Sequence, residues 1–168
     1  MVIDQTNRTD AAYWKDEFLK LRIRNDSFNK TTTTLSVYKN FITSKIDDDF
    51  EISKADKIDL LNRSMKYFKD KESFDIEEFS EEVIGNKKAI ESFKNFSREY
   101  NEEFEAGLDQ PFDISGAAVK KQARVFKSVL KLDKNFHIYI HGNKELIEKG
   151  FDDDRSMSYY KVYFKEEQ

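Results

Sequence analysis

The chain has 168 residues, a formal net charge of −4, two histidines, one proline and no cysteine. That length suits one domain with a sizeable core, and the lack of cysteine excludes disulfides, thiolate nucleophiles and cysteine-ligated zinc. No apolar run approaches the roughly 18 to 20 residues of a membrane span, and the opening MVIDQTNRTD lacks a signal peptide's apolar core, so the expectation is a cytoplasmic chain.

Fifteen phenylalanines and eight tyrosines must do much of the burying. The first two-thirds reads as helices. Trp14, Phe18 and Leu21 recur at helical spacing over Tyr13–Leu21, with Thr9 or Asp10 as cap. Asn25 to Lys30 reads as a loop. Leu35, Tyr38, Phe41, Ile42 and Ile46 then form a stripe, and the second helix is set from about Thr33 because Thr31 to Thr34 are β-branched. Ser53 and Asp56 form a capping arrangement before a third helix carrying Ile58, Leu61, Met65 and Phe68. Asp75 caps a short fourth helix with Ile76, Phe79 and Val83 inward and Gly85 at its end. Asn86 to Phe104 is the clearest amphipathic element, with Ile90, Phe93, Phe96, Tyr100 and Phe104 on one stripe.

Pro111 marks a boundary. Ser115 to about Arg124 suits a further helix, and VFKSVLKLD alternates as a strand with Phe126, Ser128, Leu130 and Leu132 on one face. Asp133, Lys134 and Asn135 make a turn into a second strand, where Phe136, Ile138 and Ile140 alternate with His137, Tyr139 and His141. Asn143 to Gly150 reads as one or two helical turns. After the turn DDDRSMS, SYYKVYFKE gives a third strand. The expected fold is therefore a single α+β domain over 1–168: a bundle of about five helices (9–110), then a helix and a small antiparallel three-stranded sheet (112–168).

Charge is unevenly spread. Between Ala117 and Leu146 the seven cations Lys120, Lys121, Arg124, Lys127, Lys131, Lys134 and Lys144 face only Asp133 and Glu145. On a helix Lys120, Lys121 and Arg124 share a side, and on the following strand Lys127 and Lys131 share a face. Lys134 sits at the turn and His137 nearby. If helix and strand faces are continuous, the cations form a stripe that neutralises an anionic partner. The competing account is plain solvation of outer faces, with strand lysines blunting an edge.

The segments AVKKQARVFKSVLKLDKN, FHIYI and YYKVYF, with DQTNRTDAAYWKDEFL and D-S-F-N-K-T toward the start, resemble the bacterial nucleoid-associated protein family often called NdpA, in its C-terminal part. The resemblance implies a non-enzymatic protein of the nucleoid that associates with DNA, and a chain that is the C-terminal portion of a longer protein. With it, Lys120, Lys121, Arg124, Lys127, Lys131 and Lys134 become a candidate backbone grip, weak and sequence-independent, because cations release counterions from phosphates. The alternative is a protein-interaction or dimerisation module whose DNA contact lies in a region preceding this chain.

Other chemistry finds little support. The clusters Asp47 to Asp49, Glu77, Glu78, Glu81, Glu82 and Asp152 to Asp154 lack calcium-loop spacing and suit solvated loops and helix starts. Glu77 to Glu82 would repel DNA and suit a basic partner. His137 and His141 sit about 13 Å apart on an extended strand, too far to share a metal. Ser115 and Ser128 have no G-x-S-x-G turn, and the five isolated glycines make no phosphate loop. No catalytic residue, cofactor, metal or small-molecule substrate is expected. Tyr139, Tyr159, Tyr160 and Tyr163 fit cross-strand packing better than base stacking.

Overall fold

The computed structural model describes residues 25–104, 107–108, 110–126, 129–140 and 144–166. The first expected helix, with Trp14, Phe18 and Leu21, lies outside them. Helix α1 (Ser27–Asn40) begins well before Thr33, so the loop expected at Asn25 to Lys30 is confined to its first residues. The Asp26 carboxylate accepts the Asn29 N–H at 2.8 Å and caps the start. The threonines that argued against an early start are accommodated. Thr31 and Thr34 are buried, and the Thr32 hydroxyl donates back to the Phe28 carbonyl at 2.8 Å.

A π-helical turn (Phe41–Lys45) follows, closed by the bond from the Ile46 N–H to the Phe41 carbonyl, and leads into α2 (Ile46–Asp49). The wide turn returns Ile46 to the face that carries Phe41, five residues earlier, and both are buried. Helix α3 (Lys54–Asp70) opens on the expected reciprocal box: Ser53 Oγ accepts the Asp56 N–H at 3.1 Å, and Asp56 Oδ2 accepts the Ser53 N–H at 3.3 Å. It buries Leu60, Ser64 and Tyr67 besides the expected Ile58, Met65 and Phe68, because it is flanked on more than one side.

A short antiparallel pair joins β1 (Ser73–Phe74) to β2 (Phe112–Asp113), with Phe74 opposite Phe112. Between them lie α4 (Ile76–Phe79), a second π-helical turn (Ser80–Ile84) that stops at Gly85 with φ 73°, and α5 (Lys87–Phe104). Asp75 caps α4 as expected, accepting the Glu77 and Glu78 N–H groups at 2.9 and 3.0 Å. On α5 Ala89, Phe93 and Ser97 are buried, while Ile90, Phe96 and Tyr100 flank them half-buried and Phe104 is exposed. Helix α6 (Gly116–Ala123) then packs on α1 and α3.

The core is an aromatic cluster. Phe79 sits at its middle, with the rings of Tyr38, Tyr67, Phe68, Phe74 and Phe93 centred between 5.0 and 5.9 Å away. Three of these contacts are edge-to-face and two are tilted, and aromatic pairs of this kind each add about 0.5–1.5 kcal/mol beyond the area buried.

The C-terminal third departs from expectation. Instead of one three-stranded sheet there are two separate hairpins: β3 (Val129–Leu132) with β4 (Phe136–Tyr139), and β5 (Ile147–Asp152) with β6 (Met157–Val162). With β1–β2, the described residues hold three two-stranded sheets. The helical turns expected from Asn143 to Gly150 shrink to a 3₁₀ turn at Lys144–Leu146, and the rest is strand β5. Gly150 is therefore no helix stop. It faces Tyr159, whose ring atoms come within 2.3–2.8 Å of where a Cβ would stand, so a side chain there would collide with the ring. Strands β5 and β6 thus pair with each other, leaving neither to extend the β3–β4 pair among the described residues. A small apolar cluster of Ile58, Leu130 and Ile140, flanked by Leu132, Ile138, Ile147 and Tyr160, seats the hairpins on α3.

Candidate nucleic-acid interface

Helix α6 is built to hold its back and free its front. Ser115 Oγ accepts the Ala118 N–H at 3.4 Å, and the Ser115 N–H donates to Thr31 Oγ1 at 3.0 Å, tying the helix start to α1. Ile114 N–H donates to the Glu72 carbonyl at 2.8 Å, extending the β1–β2 pairing up to the helix. Ala118 and Val119 are buried. Lys120, Lys121 and Arg124, one turn apart, are all exposed. Lys121 Nζ lies 5.7 Å from the centre of the Phe28 ring, itself partly exposed at the start of α1. That aromatic neighbour is far away in sequence, and spacing along the chain gives no sign of it.

The β3–β4 hairpin alternates as expected. Leu130, Leu132 and Ile138 turn toward α3, with Leu130 buried, while Lys131 stands directly opposite His137 on the outer face beside an exposed Tyr139. Lys134 is exposed in the three-residue loop, where Asp133 takes φ 50°. Lys127, together with Ser128 and His141, lies outside the described residues. The cations are therefore seen as two exposed groups, Lys120, Lys121 and Arg124 on α6 and Lys131 with Lys134 on the hairpin, each carried by an element that packs on α3. Among the described residues, none of these five joins an ion pair.

The acidic groups are differently placed. Asp47 pairs with Lys57 at 2.5 Å, Asp48 with Lys45 at 3.1 Å, and Asp49 accepts the Ser92 hydroxyl at 2.7 Å. Lys71 bridges Glu78 at 2.6 Å and Glu82 at 3.1 Å, and Lys94 pairs with Glu77. Hydrogen bonds from Lys71 and from the Tyr67 hydroxyl hold the Glu78 carboxyl below its ordinary range, and the hydrogen bonds to Glu78 and then Glu82 push Lys71 up. Burial, then the hydrogen bond to Glu78, raises the Tyr67 phenol to about 12. The acidic side of α4 is thus largely engaged by the chain's own cations. Asp152 is engaged too, by the Arg155 N–H at 3.0 Å.

Among the described residues no three or more His, Cys, Asp or Glu side chains gather where an ion would sit. An open cleft of about 420 Å³ between α2 and α5 is lined by Lys45, Asp49, Phe50, Lys88, Glu91 and Glu99, charges of both signs with no convergent set. No helix among the described residues is long and apolar enough to cross a membrane. A family model described as nucleoid-associated protein YejK matches residues 1–156 of the chain. No curated protein and no solved structure matches it.

Proposed function

This chain belongs to the nucleoid-associated protein YejK family, and from that premise we propose that it contacts or helps position DNA, without catalysis, as part of the nucleoid. The grip is the basic surface of α6 and the β3–β4 hairpin: Lys120, Lys121, Arg124, Lys131 and Lys134, with Lys127, which falls between the two groups in sequence, as a further member. The observation that carries this reading is the sorting of charge. Five exposed cations on two elements that share α3 as support have no carboxylate partner among the described residues. Meanwhile Asp47, Asp48, Glu77, Glu78 and Glu82 are paired to Lys57, Lys45, Lys94 and Lys71.

Unpaired cations can give up their counterions to phosphate and gain entropy in doing so, whereas paired ones must first break an ion pair. Contacts of this kind grip the backbone and read no base edge, so binding is weak and sequence-independent. The net charge of −4 adds long-range repulsion, which confines the attraction to short range and to this surface. Fluorescence anisotropy with a duplex at two salt concentrations tests it. Lys120→Glu, Lys121→Glu and Arg124→Glu together should weaken binding severalfold or more at low salt and reduce the salt slope by about 2 to 3. An unchanged slope would overturn the assignment of α6. Absence of binding even at low salt would favour the other reading, in which this chain serves protein or homodimer contacts.

A further inference from the structure

The β5–β6 hairpin is the least covered part of the described chain. Phe151, Met157, Tyr159, Val162 and Tyr163 are between 43 and 59 % exposed and spread over both of its faces. A two-stranded sheet is marginal by itself and gains most from a third strand. Both outer edges are unpaired among the described residues. The two edges are not equivalent.

The Tyr163 N–H donates to the Leu146 carbonyl at 2.8 Å. Antiparallel pairs alternate between bonded and non-bonded, so residues 157, 159, 161 and 163 direct their backbone groups at β5. Ser158, Tyr160 and Val162 direct theirs outward. Two copies meeting antiparallel across a two-fold axis must set residues of equal parity opposite each other, because opposite residues share a face. For β5, pairings centred on Glu148, Lys149 or Gly150 bring Glu148 to Glu148, Lys149 to Lys149, or Glu148 to Asp152. Like charges directly opposite destabilise a sheet.

Strand β6 carries one charge, Lys161. Centring on Lys161 would oppose two lysines. Centring on Tyr160 instead sets Tyr159 opposite Lys161, Met157 opposite Tyr163 and Ser158 opposite Val162, and it engages the whole strand. Within one chain Lys161 Nζ already lies 6.0 Å from the Tyr163 ring centre, so this side chain takes an aromatic face readily.

We propose that the outer edge of β6 is a homodimer interface, pairing with β6 of a second copy about Tyr160 to form a four-stranded sheet ordered β5–β6–β6–β5. This rests on backbone geometry and strand charge, independently of the DNA reading. The apolar residues on both faces then gain neighbours from the partner's hairpin.

The test uses the full chain. Light scattering across the micromolar range should show a monomer–dimer equilibrium. Ser158→Pro removes an outward N–H without touching the β5 ladder, so it should abolish the dimer and leave the melting profile of the monomer intact. The native chain has no cysteine, which makes the register readable by cross-linking. An oxidised mixture of Ser158→Cys and Val162→Cys chains should form a mixed disulfide dimer in preference to either homodimer. A chain that is monomeric throughout the range overturns the proposal, whether the edge then takes a foreign strand or none. So does a dimer that survives Ser158→Pro and gives no preferential mixed product.

Discussion

In the helical body Phe41, Phe68, Phe74, Phe79 and Phe93 are sealed from solvent, each within ring contact of another aromatic. In the C-terminal third Phe136, Phe151 and Phe164 are 64, 59 and 70 % exposed. The difference lies in the number of surrounding layers, not in the residue. A ring on α4 is met by α1, α3, α5 and the β1–β2 pair, whereas a ring on an isolated two-stranded sheet has cover on one face at most. Aromatic content alone therefore does not locate a core.

The contrast breaks most visibly by truncation. Phe79→Ala should cost about 3–5 kcal/mol, because five rings surround the site and cannot all collapse into the space, while Phe136→Ala should stay within about 0.5 kcal/mol. Urea unfolding of the two variants checks this, and comparable losses would mean that the hairpin is covered in solution. A smaller effect is expected at the start of α3. Ser53→Ala removes the oxygen that accepts the Asp56 N–H and should lower stability by about 1 kcal/mol in thermal unfolding, with Ser53→Gly milder.

The smallest effect concerns pH. The Glu78 carboxyl is held below its ordinary value by Lys71 and Tyr67, so the unfolded chain takes up that proton more readily than the folded one. Its contribution is present above the ordinary carboxylate range and is lost as pH falls through the depressed folded value. Lys71 is raised, so its contribution is present below the ordinary ammonium range and lost only in strong alkali. Glu78→Gln should slightly flatten the acid limb of a stability–pH profile and leave the limb above neutrality unchanged until Lys71 titrates. An acid limb identical to that of the parent chain would contradict the pairing. Such exposed pairs contribute little, which is why this comes last.

The helical body was largely legible because its signals are local. Ser53 with Asp56, Asp75, Gly85, and the stripe from Leu35 to Ile46 all lie within a few residues of the structure they specify. Sequence places the start of α1 too late because the penalty of β-branched residues is an average. Here Thr31 and Thr34 face the interior and Thr32 bonds its own helix. Strands β1 and β2 leave no local signal for another reason: each is two residues long, and they pair with each other across some forty residues. In the C-terminal third the alternation was visible, but whether consecutive strands join one sheet depends on packing that no short window contains. Gly150 shows this well, since a glycine after an apolar pair suits a helix stop, and only Tyr159 reveals why it is there. At the candidate interface the shared exposed side of Lys120, Lys121 and Arg124 is readable from spacing. The Thr31–Ser115 bond and the Phe28 ring against Lys121, which position and flank them, are not.

The π-helical turn at Phe41–Lys45 means that the long first helical segment carries one residue more than a regular α-helix would need to connect the same two faces. That surplus is length in reserve. Loss of a single residue among Thr43, Ser44 and Lys45, which all lie on the exposed side, converts the wide turn to an ordinary one and keeps Leu35, Tyr38 and Ile46 in phase. The same loss in α3 would rotate every later buried side chain by about 100°. The molecule is thus unevenly tolerant of deletion: slack at one turn of α1–α2, and none in the helix against which it packs.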